Sequence, residues 1–297
     1  MTVPFIGPEA EASLDWIALT DALAAGHALP RAEIGDTFLY RGGDTMLSRA
    51  AWIDGLGSLV KTATIFPGNR GTPPINGAVS LFSDGDGTLA AMLDFHLVTK
   101  WKTAGDSLLA ARRLARPDSG RILIVGSGTV AASLRTAYAA AFPEAVFEVW
   151  SRDPDRARAF AAAHDAEAVT DLAHTVPRAD IVTCATMTTD PLIRGEWLRP
   201  GQHLDLIGAY RPDMREADDA CLRRSRVFVD SRDTVLDHIG ELKIPLAAGV
   251  VTPADVVADY YDLASFDRDP NDITLFKNGG GAHLDLMTAR HVLDRVG

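Results

Sequence analysis

The stretch RILIVGSGTVA, residues 121–131, limits what this chain can fold into more than any other. A short apolar run ends in Gly126-Ser-Gly128-Thr-Val-Ala131, and a helical pattern continues to Phe142. In a G-x-G-x-x-A turn the first glycine makes the bend and the second lets backbone approach a pyrophosphate. The third small residue lets the helix pack on the strand with its N-terminus aimed at phosphate. A bare motif of this kind is weak. Here a strand leads in, a helix leads out and a second strand, Val146–Trp150, follows, which is the context the motif requires. The turn predicts a dinucleotide held by Gly126, Ser127, Gly128, Thr129 and Val130. The competing reading is a glycine-rich turn in another kind of α/β sheet. Such turns usually open their domain, yet this one comes after 120 residues of something else.

From the turn onward strands and helices alternate. The pattern predicts strands at 121–125, 146–150, 180–185, 203–207 and 226–230, and helices at 129–142, 154–164 and 216–224, with more near 234–262. This order implies a parallel, doubly wound α/β sheet of the Rossmann type. The chain closes with a strand-like run at 272–277, then Asn278 and three glycines, then a helix at 282–295. The first third reads differently. Residues 8–26 have helical spacing and stop at Gly26, and Phe38–Arg41 is strand-like. Residues 58–66 alternate, and the runs 78–82 and 88–93 flank a Ser-Asp-Gly-Asp-Gly turn, a hairpin signal. A helix over 95–115 then reaches Arg116–Gly120, which reads as a domain junction. The expected architecture is a Rossmann domain at 119–275 and an α+β domain built from 1–118 and 276–297.

Composition narrows the function. The net charge is −11, which argues against a nucleic-acid partner and against an anionic membrane surface. No apolar run approaches the roughly 18–20 residues of a membrane span, and the first residues lack the basic start of a signal peptide. The two cysteines, Cys184 and Cys221, make neither a disulfide framework nor a zinc site. No His/Asp/Glu group has ligand spacing, so no metal is assigned, and His96, His203, His238 and His283 are read as structural. A soluble cytoplasmic protein is expected. Of 29 basic residues five are lysines, so a lysine in an apolar setting stands out. Lys61 shares a strand face with Leu59, Ala63 and Ile65, as an edge residue whose amine reaches solvent or as a cleft residue. Lys102 lies on the helix leading into the nucleotide domain, on a solvated face or in a site.

The second strand bears on which dinucleotide is held. A carboxylate at its tip would take a ribose 2′-hydroxyl and repel a 2′-phosphate. The tip instead carries Ser151 and Arg152, with Arg156 just beyond, which suits a 2′-phosphate. Asp153 reads as the cap of the next helix, with Pro154 at its first position. NADP(H) is therefore preferred, with NAD(H) as the alternative.

The runs VKTATIFPGN, DGTLAAMLD and KTAGDSLLAARRLARPDS, followed by ILIVGSGTVA, then PLIRGEWLRPGQHLDLIGAYRPDMRE and DITLFKNGG, resemble the ornithine cyclodeaminase/mu-crystallin family in order. The resemblance implies that the α+β domain holds the substrate and dimerises, while the inserted Rossmann domain holds NAD(P). It implies that Lys61 binds a substrate carboxylate or supplies a proton near a C=N bond, with Arg41 and Lys102 completing a cationic pocket. Lys102 stands where the family has the arginine of an R-T-A-A motif, a real departure, because an ammonium cannot grip a carboxylate bidentately. Asn76 and Tyr210 join the substrate set, and Ala185, Thr186, Met187, Gly208 and Asn278 join the cofactor set. Tyr210 occupies the place of the aspartate that cyclodeaminases carry, and the usual C-terminal Glu-Asp pair becomes His283-Leu284-Asp285, shifted or partly lost. The expected activity is reduction of a small α-imino acid, a cyclic ketimine or the imine of a 2-oxo acid and an amine, by a homodimer. An NAD-containing cyclodeaminase and an inactive NADPH-binding protein are the other readings.

Overall fold

The computed structural model describes residues 3–296, which form two compact units, one of residues 3–105 with 281–296 and one of residues 106–280. The first unit opens with β1 (Phe5–Ile6) and a 3-10 turn, Pro8–Ser13. The helix expected over 8–26 is thereby split. Leu14 is extended, and the Asp15 carboxylate accepts the Ala18 N–H at 2.8 Å, which starts α1 (Trp16–His27). Next come β2 (Glu33–Arg41), β3 (Asp44–Ile53), β4 (Gly57–Ile65), β5 (Ile75–Phe82) and β6 (Leu89–Asp94). They form one sheet in the order β1-β6-β5-β4-β3-β2, antiparallel except for the β1–β6 pair. β4 presents Leu59, Lys61 and Ala63 to the buried side, the face anticipated for Lys61.

α2 (Phe95–Leu114) belongs to both units, so the division falls inside a helix and ahead of the Arg116–Gly120 turn. The reason is where its two halves bond. Trp101 stacks on Trp16 of α1 at 3.8 Å. One turn later the Asp106 carbonyl accepts the Tyr260 hydroxyl, and Ser107 donates to Asp205 at 3.0 Å.

The second unit runs β7 (Arg121–Val125), α3 (Thr129–Ala141), β8 (Val146–Trp150), α4 (Pro154–His164), β9 (Glu167–Val169), α5 (Leu172–Thr175), β10 (Ile181–Cys184) and β11 (His203–Leu206). It continues through α6 (Asp219–Arg224), β12 (Arg226–Val229), α7 (Arg232–Val235), α8 (Gly240–Ala247), β13 (Val256–Ala258) and β14 (Thr274–Lys277). Its eight strands are all parallel, in the order β13-β12-β14-β11-β10-β7-β8-β9. The interior strands are buried on both faces, as in a sheet covered on both sides, and buried polar residues on them, such as Thr183, His203, Asp205, Thr274 and Lys277, are hydrogen-bonded. The three-residue strands β9 and β13 are additions to the expected set, and α6 starts at Asp219 because Asp218 caps it. The helical stretch expected near 234–262 is realised as short pieces. The boundary expected at 275/276 lies at 280/281, because β14 is a central strand of this sheet and its last residue, Lys277, pairs with both Leu206 and Val229.

The chain then returns to the first unit as α9 (Ala282–Val296), which packs on α1, β3, β4 and β5. No helix among the described residues is long and apolar enough to cross a membrane.

Candidate functional site

In the second unit the glycine-rich turn has the features its sequence implies. Gly126 sits at φ +125°, and a Cβ on it would lie 2.7 Å from the Ala185 carbonyl oxygen. Its N–H donates to Trp150 at the end of β8 at 2.8 Å. Gly128 is the N-cap of α3 and supplies no side-chain acceptor, and a Cβ on it would meet nothing within 4 Å. The first N–H groups of α3 therefore face an open cradle without a capping group, the arrangement that receives a phosphate. Thr129 and Val130 are exposed beside it. Ser127 and Ser151 share a hydrogen bond of 3.1 Å, which joins the turn to the tip of β8. Arg152 and Arg156 are exposed, and Asp153 caps α4 by accepting the Asp155 N–H at 2.9 Å, as its sequence position suggested. Ala185, Thr186 and Met187 follow β10, which lies beside β7, and Gly208 follows β11, the next strand out, so all lie at carboxyl ends of neighbouring parallel strands. Asn278, just past β14, is buried and donates to Ser107 at 3.0 Å. Tyr210 is 59% exposed, with the Arg211 guanidinium 6.0 Å from its ring centre.

In the first unit the unusual group is a buried cluster of charge. Lys61 Nζ donates to Asp285 Oδ1 at 2.8 Å, and both residues are buried. The ammonium also lies 4.8 Å from the centre of the Phe95 ring. Lys102 is buried close enough for its charge to act on Lys61, Asp285 and His283. Arg49 stands opposite Lys61 in the β3–β4 register and forms a forked ion pair with Asp36, its contacts between 2.9 and 3.1 Å. Burial pulls the Lys61 ammonium below its ordinary value, Asp285 pulls it back up, and the Lys102 and Arg49 charges add to the lowering. For Asp285 burial alone would raise the carboxyl. The charges of Lys61, Lys102 and Arg49 and the Lys61 hydrogen bond together outweigh it and hold the group below its ordinary value. His283 is buried with its ring edge-on to His27 at 5.3 Å. Burial and the neighbouring His27, Lys102 and Arg49 charges keep its imidazole well below its usual value, so it is neutral at physiological pH. Lys61 pairs with the buried Asp285 carboxylate, whose Oδ2 has no partner among the described residues, and the buried residue Lys102 adds a second positive charge that acts on both. That surplus of positive charge fits a small anion.

Lys61 and Lys102 are thus brought together, but Arg41 is not with them. Its side chain is 79% exposed, pairs with Asp44 at 3.0 Å and lies 5.5 Å from the Phe66 ring, because β2 is an edge strand whose nine residues are all exposed. Asn76 is also exposed, at the start of β5, and donates to the Pro73 carbonyl at 2.8 Å. Arg49 is the cation that the sequence reading missed. Its signal was Asp54-Gly55, a hairpin turn that sets β3 against β4 and Arg49 across from Lys61. Asp285, the acid of the His283-Leu284-Asp285 run, is the carboxylate that meets Lys61.

Fold and site together define a protein of the dinucleotide-dependent oxidoreductase class, with a Rossmann unit inserted into a sheet unit that carries buried lysines. The chain belongs to the ornithine cyclodeaminase/mu-crystallin family, whose profile matches residues 55–297. It is 51% identical over 297 residues to the Delta(1)-pyrroline-2-carboxylate reductase of Paracoccus denitrificans, covering 96% of this chain and 94% of that one. It is 31% identical over 240 residues to the ketimine reductase mu-crystallin of Mus musculus, covering 79% and 74%. Among solved structures it is similar to Thermococcus litoralis Delta(1)-pyrroline-2-carboxylate reductase in complex with NADH and L-proline. The TM-score is 0.88 at 23% identity, over 99% of this chain and 97% of that one, a likeness of fold.

The turn geometry makes Gly126 intolerant of a side chain. Gly126→Ala combines an unfavourable φ with a contact to Ala185, a strain of about 1–3 kcal/mol. A lowered melting temperature and weakened NADH and NADPH binding by fluorescence titration are the expected results; wild-type values in both would remove the turn from the binding site.

Proposed function

We propose that this chain is an NAD(P)H-dependent imine reductase that converts a small α-imino acid, of the Δ1-pyrroline-2-carboxylate kind, to the amino acid. The observation that carries the reading is the buried pair Lys61 and Lys102 against the single carboxylate of Asp285. The 51% identity to a Delta(1)-pyrroline-2-carboxylate reductase over 96% of the chain supports the substrate class. The residues of the turn fit a dinucleotide: a cradle without side chains, uncapped α3 N–H groups and a Ser127–Ser151 bridge at the ribose end.

Reduction of C=N places a hydride on carbon and a proton on nitrogen. A bound reduced nicotinamide supplies the hydride. The chain's residues supply the rest. Lys102 holds the substrate carboxylate, which fixes the imine carbon and neutralises the buried charge. Lys61, whose ammonium is easier to deprotonate than an ordinary lysine, gives its proton to the imine nitrogen and regains one from water. Asp285 orients Lys61 through the 2.8 Å hydrogen bond and keeps it protonated in the resting state. Arg41 and Asn76, on exposed segments of the first unit, shape the access side of the substrate set rather than its buried anchor. Thr186, Met187 and Asn278 remain in the cofactor set. Ser151, Arg152 and Arg156, with Asp153 engaged as the cap of α4, favour NADPH over NADH.

The direct test is oxidation of NADPH and NADH with Δ1-pyrroline-2-carboxylate and Δ1-piperideine-2-carboxylate. Turnover with a lower KM for NADPH is expected, as is a loss of about a hundredfold or more in kcat for Lys61→Met, the usual weight of a proton donor. Binding of the dinucleotide without reduction of either imine would defeat the reductase reading.

The pH profile tests the Lys61–Asp285 pair separately. Asp285 raises the Lys61 pKa, whereas burial and Lys102 lower it. With the donor form required, kcat/KM falls as pH rises through the Lys61 value, which lies below the ordinary lysine value of 10.5. Asp285→Asn removes the raising charge and moves that alkaline limb to lower pH. A limb that stays in place would show that Lys61 is not the titrating donor.

The assembly follows from β2. It is a sheet edge with all nine residues exposed, Phe38, Leu39 and Tyr40 at 49%, 60% and 74%, and Met46 and Trp52 are exposed on β3 beside it. An apolar edge of this kind calls for a cover, and a second copy of the chain is the proposed one. Light scattering should give twice the 31.8 kDa chain mass; a monomer mass at micromolar concentration would dismiss the dimer.

A further inference from the structure

In the second unit a completely buried carboxylate, Glu216, joins two loops that are far apart along the sequence. Its Oε1 accepts the Thr186 N–H and the Thr186 hydroxyl, each at 2.7 Å. Its Oε2 accepts the Gly208 N–H at 2.6 Å and the Ala209 N–H at 3.3 Å. Thr186 follows β10 and Gly208 and Ala209 follow β11, neighbouring parallel strands beside the β7 turn. The two loops touch directly as well, since a Cβ on Gly208 would overlap the Thr186 backbone. Carboxyl ends of adjacent parallel strands are where a doubly wound sheet receives its ligand.

Glu216 is itself pinned. Its carbonyl accepts the Leu192 and Ile193 N–H groups at 2.9 and 3.0 Å. Its N–H and that of Ala217 donate to the two oxygens of Glu241 at 2.7 and 3.0 Å. Every hydrogen-bonding group of the residue is therefore committed, and both loops hang from one rigid point. Four donors converge on two oxygens, a demand only an ionised carboxylate meets in full. Burial and the Glu241 charge push the Glu216 carboxyl up to about 8, and the Lys277 charge and the Thr186 donors pull against them; burial likewise raises Glu241 against Lys277, and it is the four converging donors that favour the ionised form of Glu216.

We infer that Glu216 is a positioning residue for the dinucleotide: it staples the Thr186 and Gly208 loops into the shape that receives the cofactor, without touching it. The inference rests on the reading of this unit as the dinucleotide-binding one. It differs from a general role in stability because the bonds it makes end on the two loops assigned to the cofactor. Glu216→Gln keeps the shape but turns one acceptor into an N–H group that faces other donors, so one loop loses its anchor.

The experiment is titration of the full-length protein with NADH and with NADPH, by fluorescence, together with kcat at saturating dinucleotide. For Glu216→Gln the dissociation constant should rise about tenfold or more, the weight of lost buried hydrogen bonds to a charge, while saturated kcat stays within about threefold. Thr186→Val, which removes one bond and leaves the carboxylate in place, should raise it about threefold. The double variant should show less than the sum of the two effects, because both act through one contact. Should Glu216→Gln not fold, Glu216→Asp, which keeps the charge but shortens its reach to the two loops, is titrated in its place and the same rise is expected. Dissociation constants within about twofold of wild type for the variants, or additive effects in the double variant, would overturn the inference. Wild-type protein that binds neither dinucleotide would overturn the reading beneath it and the inference with it.

Discussion

The Lys61–Asp285 ion pair joins residues 224 positions apart, and much of this molecule is arranged around it. Lys61 is on β4 near the start of the chain and Asp285 is in the first turn of α9 near its end. For the two to meet, the last helix must return to the first sheet, so the Rossmann unit is an insertion between them. The pair is not there for stability. Desolvating two charges costs about as much as their attraction returns, and apolar residues of the same size would often serve as well. Once one partner is present the other becomes obligatory, since an uncompensated buried charge costs about 3–5 kcal/mol. A buried lysine balanced only in part, with Lys102 beside it, is the kind of group the proposed chemistry calls for.

The two units satisfy their buried polar groups in opposite ways. The first gathers cations around one carboxylate. The second gathers carboxylates around backbone N–H groups. Glu216 holds the loops after β10 and β11, and Asp230 accepts the Ser231, Gly279 and Gly280 N–H groups where the chain leaves the sheet. Asp205 takes hydroxyls from Ser107, Tyr138 and Thr183, and burial raises its carboxyl to about 6 against the pull of those donors and of Lys277. Loops that leave parallel strands give up the ladder, and their freed N–H groups need acceptors that do not depend on a neighbouring strand. Buried acids in those loops supply them, and the loops thereby gain fixed shapes where a ligand is received.

What could be read from the sequence followed from periodicity and from turn chemistry. The strand face of Lys61, the 78–93 hairpin, the nucleotide turn and the Asp153 cap are local patterns and appear where they were expected. β3 was not read, because Ser48, Arg49, Ala50 and Ala51 blur its alternation, and with it Arg49 was lost. The place of Arg41 depended on β2 lying at the sheet edge, a fact of strand order that no local pattern holds. The unit boundary inside α2 was hidden because the helix is continuous; only the partners of Trp101 and Asp106 separate its halves. Asp285 sits among buried Leu284 and Leu286, and its meaning depends on a partner 224 residues away.

The replacement of an arginine by Lys102 gains sense in that setting. A guanidinium would grip a carboxylate with two parallel bonds and stays charged at any working pH. An ammonium is a compact point charge with three donors that can turn, so it fixes where the carboxylate sits but not its rotation. Orientation in the proposed reaction must then come from elsewhere, and the second oxygen of Asp285 is placed to help. It is buried and accepts nothing from the described residues, which leaves it available to a donor on the ligand. An anion carrying a nitrogen with a hydrogen would answer both needs, meeting Lys102 with its negative end and Asp285 with its N–H. In the proposed reaction the α-amino acid has that form, and the imino acid acquires it once Lys61 has given its proton to the nitrogen, whereas a 2-oxo acid has only the anion. In the proposed reaction the Asp285 carboxylate thus favours the nitrogen-bearing side, and an anion beside Lys102 offsets the surplus of positive charge.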